Sequence, residues 1–214
     1  MPDICRRSGV ILMEKQVIVS IGREYGSAGH VVAHKLADKL GIEVLDRNLL
    51  EQVAGLKSVD TNNLSKYDEK PKLRLFSRTV RGHSNSPGQN VAEMQFALLK
   101  SKAADGDSFV VVGRCADDLF RNDENFISIF IYAGMEARIK RVIERHPGLD
   151  RKGAIKKIEM HDKKRAAYHD YFCKSGKWGD RKSYELCIDA SKLGVDGTTD
   201  LIYNYIQQRI GGSK

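Results

Sequence analysis

The sequence predicts a three-layer α/β domain built on a parallel sheet. Two observations point there: five short apolar runs rich in β-branched residues, and helix-like periodicity in the stretches between them. The runs are QVIVSI (16–21), IEVL (42–45), SFVVV (108–112), ISIFIY (127–132) and LCID (186–189). Continuous apolar runs of this length suit strands covered on both faces, as in a parallel sheet, rather than half-exposed strands that alternate.

Each helix has its own signal. Residues 30–40 place Val32, Leu36 and Leu40 on one stripe, and Gly41 stands where a helix is stopped. Residues 91–103 and 135–146 carry helical patterns, Lys152 to Tyr171 reads as a long charged helix, and Thr198 to Ile210 as a final amphipathic one. Strands alternating with helices imply right-handed crossovers and helices on both faces of the sheet. Two polar segments interrupt the alternation. One is 57–90, with Asn-Asn and Ser-Pro-Gly turns, and the other is 172–184. Long polar excursions of this kind in a compact domain are usually functional or mobile, and each could close over a ligand.

Composition narrows the class. The 214 residues suit a single domain over 15–214, with 1–14 a loose leader and Met13 an alternative start. No run approaches the roughly 20 apolar residues a bilayer span requires, so no membrane role is expected. The four cysteines (5, 115, 173 and 187) form no C-x-x-C pair and fit neither a zinc pattern nor a small disulfide scaffold. They read as reduced thiols of a cytoplasmic protein. Net charge is +8, and the stretch from Arg138 to Arg165 carries an excess of +7. Such a patch implies an anionic partner, or a solvated helix face. Aromatic residues are not interleaved through most of it, which favours a small phosphorylated ligand over a polynucleotide. No feature of the sequence reports an oligomeric state.

The segment IGREYGSAGHVV (21–32) joins the first strand to the first helix. First-turn amides lack intrahelical partners and the helix dipole favours negative charge, so a turn of this kind can hold phosphate. The P-loop pattern is G-x-x-x-x-G-K-[ST]. Here Gly29 follows Gly22 by seven positions rather than five, His30 stands in the lysine position, and Val31 and Val32 follow in place of the hydroxyl. The phosphate reading takes Gly22, Gly26, Ser27, Ala28, Gly29, His30 and Val31 as the cradle, with Arg23 or His30 supplying charge. An ordinary glycine turn is the alternative. Imidazole is a weaker and pH-dependent substitute for an ammonium.

Further along lie GIEVLDR (41–47), GRCAD (113–117) and DKKRAAYH (162–169). Taken in order with the glycine loop, these motifs resemble the cytidylate kinase-like family, a branch of the P-loop nucleoside monophosphate kinases. The resemblance covers about 16–210. It implies a P-loop NTPase-type fold with a five-stranded parallel sheet, a nucleoside monophosphate (NMP)-binding lobe near 57–100 and a lid near 147–172. It also implies transfer of the γ-phosphoryl group of ATP, with Mg²⁺, to a nucleoside monophosphate, with CMP or dCMP favoured. Carried over by position, Arg114, Asp162, Lys164 and Arg165 are the catalytic candidates, and Asp46, Arg47, Arg114 and Asp117 the acceptor-binding ones. Several positions depart from true cytidylate kinases: Cys115 stands where an acidic residue reads cytosine, Arg47 replaces Ser, and Gln52 and Ile158 replace arginines. Arg114 could alternatively pair with Asp117 or Asp118. His161, Asp162, His169 and Asp170 carry metal-ligating atoms on one helix, but no metal site is assigned to them. Trp178 and Tyr168 read as packing or lid residues, and Ser191 and Lys192, after Asp189, as ATP-site candidates.

Overall fold

A computed structural model describes residues 15–46, 49, 51–52, 79–80, 83–84, 87–174 and 176–211. Five parallel strands form one sheet. They are β1 (Ile18–Arg23), β2 (Glu43–Leu45), β5 (Phe109–Val112), β6 (Phe126–Tyr132) and β7 (Leu186–Asp189), in the order β2-β5-β1-β6-β7. Each of the five falls on one of the apolar runs, with its ends shifted by two residues or fewer. A small antiparallel ribbon, β3 (Thr79–Val80) with β4 (His83–Ser84), lies within the polar segment 57–90 and has no apolar signal to announce it.

The helices are α1 (Gly29–Leu40), α2 (Pro87–Ala104), α3 (Ala116–Leu119), α4 (Met135–Arg145), α5 (Arg151–Phe172) and α6 (Ala190–Gly211). The one-turn α3 was not expected. Gly194, at φ 67°, kinks α6 into a short first piece and a longer second one, and the second contains the predicted helix Thr198 to Ile210. As expected, Gly41 ends α1: it adopts φ 67° and donates its N–H to Ala37 and Asp38 carbonyls.

Alternation along β1 explains why both faces are apolar. Val19 and Ile21 join Val32, Leu36, Ile202 and Ile206 in the core between the sheet, α1 and α6. Ile18 turns the other way, to Phe109, Val111 and Leu99 beneath α2. A smaller cluster of Ile139, Val142, Ala154 and Ile158 binds α4 to α5. Together these place the strand C-termini, and every loop that leaves them, at one edge of the sheet, where open α/β folds bind ligands. Among the described residues no helix is long and apolar enough to cross a membrane.

Candidate functional site

The glycine loop leaves β1 at the centre of that edge. Two of its glycines are required by space and backbone. Gly26 has φ 81°, and a Cβ there would lie 3.1 Å from the Arg138 carbonyl oxygen; a Cβ on Gly29 would lie 2.6 Å from that of Arg23. Ala28 takes a left-handed φ of 72° and no side chain caps α1, although the Ser27 hydroxyl accepts from the Gly29 N–H. The amides of His30 and Val31 thus sit in the first turn of the helix, where an anion is favoured.

The long helix α5 grips this loop. Asp162 accepts the Tyr25 N–H at 2.7 Å and pairs with Arg138 through its other oxygen. Arg138 in turn donates Nε to the Tyr25 carbonyl at 2.8 Å and reaches Glu24 at 3.1 Å. Arg165 donates to the Arg23 carbonyl and lies over the Tyr25 ring, and Arg141 donates to the Gly26 carbonyl. His161 stacks on Tyr25 with ring centroids 4.2 Å apart. Burial, then the cations of Arg165, Lys164 and Lys157, holds the His161 pKa below its ordinary value. Burial also raises the Glu24 carboxyl, against the Ala133 N–H and the Arg138 charge that oppose it. Part of the basic excess of 138–165 is therefore turned inward onto loop carbonyls. Lys164 remains on the exposed face of α5.

On the far side of the loop, Asp46 directly follows β2, and its Oδ2 lies 2.8 Å from His30 Nδ1. Burial raises the Asp46 carboxyl, but the His30 hydrogen bond and the charges of Arg23 and Arg114 outweigh it and leave the pKa lowered. Arg47, the neighbouring candidate, lies outside the described residues, as does most of the expected lobe at 57–100.

Three arginines from separate elements line one small cavity: Arg23 from β1, Arg114 from the turn after β5, and Arg165 from α5. Its volume is about 20 Å³, room for about one water. Arg114 and Cys115 both adopt left-handed backbone, with φ of 60° and 52°. Adjacent non-glycine residues in that region store strain, which concentrates at functional sites. Asp117 and His169 also face the cavity, joined at 2.7 Å. Trp178 and Tyr184 close it, both packed on Phe130. Tyr168 is buried against Phe172.

The structure thus gathers Arg23, Arg114, Asp117 and Arg165 around one cavity, and Asp46 with His30 beside it, while Asp162 lies against loop backbone. His161 and His169 face different partners, Tyr25 and Asp117. Ile158, where true cytidylate kinases carry an arginine, is fully buried in the α4–α5 core. Asp189 accepts the Ser191 N–H and hydroxyl at the start of α6. Sequence reasoning missed Glu24, Tyr25 and Arg138, whose only signal is their position within the glycine loop and the basic stretch.

A parallel sheet ordered β2-β5-β1-β6-β7, with a glycine loop leading from β1 into α1, defines a P-loop kinase-type fold. The cytidylate kinase-like family matches residues 18–192, and the chain belongs to that family. A crystal structure of an uncharacterized protein from Eubacterium ventriosum is 36% identical, covers 90% of this chain and 99% of its own, and superposes with a TM-score of 0.70. Shikimate kinase from Bacteroides thetaiotaomicron shares the fold at 10% identity, with coverage of 89% and 98% and a TM-score of 0.53. Shikimate kinase from Aquifex aeolicus does so at 12% identity, with coverage of 92% and 100% and a TM-score of 0.50. No curated protein matches the chain by sequence.

Proposed function

We propose that the chain is an ATP-dependent nucleoside monophosphate kinase, with CMP or dCMP as the favoured acceptor. The observation that carries this reading is the convergence of Arg23, Arg114 and Arg165 on one cavity beside the glycine loop. Phosphoryl transfer asks little covalent chemistry of the protein. It asks for positioned cations that spread charge over the transferring group, and for a closure that excludes water.

In this reading the loop amides from Gly26 to Val31 hold the ATP phosphates, and Arg114 holds the acceptor phosphate. Arg165 bridges the two sides. Asp162 keeps the loop in shape through Tyr25 and Arg138, and Lys164 turns inward when α5 closes on substrate. Asp46, an ionised carboxylate beside His30, fits a role next to phosphate-bound Mg²⁺, a cation that neutralises phosphate charge. Asp117, Asp46 and Arg47 contribute to the acceptor side. A cavity of about 20 Å³ admits no nucleotide, so binding requires α5 and the segment carrying Trp178 and Tyr184 to move outward. We assign the closing movement to a lid over 147–172 and to the NMP lobe over 57–100.

The test is acceptor-dependent ADP release with CMP, dCMP, UMP and AMP at saturating Mg·ATP. Arg114→Ala is expected to lower kcat/KM by about 10- to 100-fold, the effect of losing one charge-assisted phosphate contact. Unchanged kinetics would remove Arg114 from the site.

One observation favours a second reading, a nucleotide-binding protein with little turnover. His30, in the lysine position, is engaged with Asp46 at 2.8 Å and is more than half exposed. Saturable stabilisation by nucleotide without ADP release from any acceptor would select that reading.

A further inference from the structure

Two stretches far apart in the chain meet beneath the arginine-lined cavity. The turn into α3 brings Cys115 and Asp117; the end of α5 brings His169 and its C-cap, Cys173. All four are buried, with 5–7% of their surface exposed. Ligating atoms of Asp117, His169 and Cys173 lie within 4.8 Å of one another. The Cys115 thiol lies outside that group of three and interacts with the Cys173 thiol. Neither pair is a zinc motif on its own. C-x-D in a tight turn and H-x-x-x-C at a helix end become one cluster only through the fold.

Two thiols, an imidazole and a carboxylate suit a borderline-soft divalent ion that takes four ligands tetrahedrally, at about 2.0–2.3 Å. The imidazole is already oriented. Its Nδ1 lies 3.3 Å from Asp170 Oδ1, while Nε2 turns to Asp117 at 2.7 Å. Metal-binding histidines are held in this way, with a carboxylate on one nitrogen fixing the tautomer that offers the other to the ion. Ala92, Phe96, Tyr168 and Phe172 pack around the two cysteines and give the cluster an apolar wall. Cys115, Asp117 and His169 also border the cavity, which supplies a path for an ion to enter.

We propose that Cys115, Asp117, His169 and Cys173 bind one Zn²⁺, or an ion of the same chemistry. The ligands are two thiolates, one carboxylate oxygen and His169 Nε2. On binding, each thiol releases its proton and the Asp117–His169 pair releases the one it shares, so three protons leave as the ion enters. The ion fixes only the C-terminal end of α5 on the turn after β5, so that any outward swing of the helix pivots there, and it holds Arg114, the neighbour of Cys115, in place. This assignment concerns metal binding alone and stands whether or not the chain turns over ATP.

The test is titration of the reduced, chelator-treated full chain with Zn²⁺, and with Co²⁺ as a coloured probe. The expected result is one equivalent bound, with the intense visible bands of four-coordinate cobalt and a thiolate charge-transfer band. Cys173→Ser and His169→Gln should bind roughly 100-fold more weakly, whereas Cys187→Ser and His161→Gln should bind normally. Because substitutions of buried residues can unfold the protein, the wild type is also alkylated just below its melting temperature, with and without Zn²⁺. Zn²⁺ should protect Cys115 and Cys173 and leave Cys187 reactive. No bound equivalent, the pale spectrum of six-coordinate cobalt, or equal alkylation with and without Zn²⁺ would overturn the assignment. So would binding that survives Cys173→Ser but vanishes in His34→Ala, which would place the ion on His30, His34 and Asp46 instead.

Discussion

An imidazole at position 30 meets Asp46 where a P-loop would carry an ammonium. His30→Lys replaces an imidazole with a permanent charge on a longer arm. Under the kinase reading turnover should rise by about tenfold or more, measured as kcat with Mg·ATP and CMP; no gain would mean that another cation already fills the role. His161 gives a pH prediction. Its folded pKa is held below the ordinary 6.5, so the folded state prefers the neutral ring stacked on Tyr25. That contribution is present above pH 6.5 and is lost as the pH falls through the lowered value. Urea unfolding across pH 7 to 5 should therefore show a decline that is shallower in His161→Gln. Ile158→Arg, which restores the arginine of true cytidylate kinases, should cost several kcal/mol in the same assay, since it puts an unpaired charge into a dry core.

At the scale of elements, α5 depends on a cap and on a crossing. Asp150 accepts the Gly153 N–H at 2.7 Å and begins the helix. Asp150→Ala should lower stability by about 1 kcal/mol in chemical denaturation, with no change in the sheet. The strands were legible in sequence because each falls on a short apolar run; β1, β5 and β6 are buried almost throughout, while the edge strands β2 and β7 are only partly covered. The helix α1 was legible because its stripe ends at Gly41. The ribbon β3–β4 was not, since two-residue strands carry no periodicity. The short piece of α6 ahead of Gly194 was not legible either, because that glycine breaks the helical pattern. At the site, the arginines at strand ends were legible as charges at ligand-binding positions. The loop clamp was not: Tyr25 and Asp162 are 137 residues apart, and nothing local marks them as partners. The same holds for Cys115 and Cys173, which look like stray thiols until the fold brings them together.

For the whole molecule, the sheet supplies a rigid edge and the segments around it supply the grip. Nucleotide at 100 times its Kd should stabilise the folded state by about 2.7 kcal/mol, read as a rise in Tm. Substituting Gly26 by Ala should abolish that rise, because the loop can then no longer hold its left-handed turn beside Arg138. The clamp also orders events in time. A contact between residues 25 and 162 closes a loop that spans most of the chain, and such closures come late, after local helices and adjacent strands have formed. The glycine loop is thus made early as chain and late as shape. During refolding, far-UV circular dichroism should recover before the ability to bind nucleotide. A nascent chain that has finished β6 but not α5 should be folded in part and still unable to hold a phosphate.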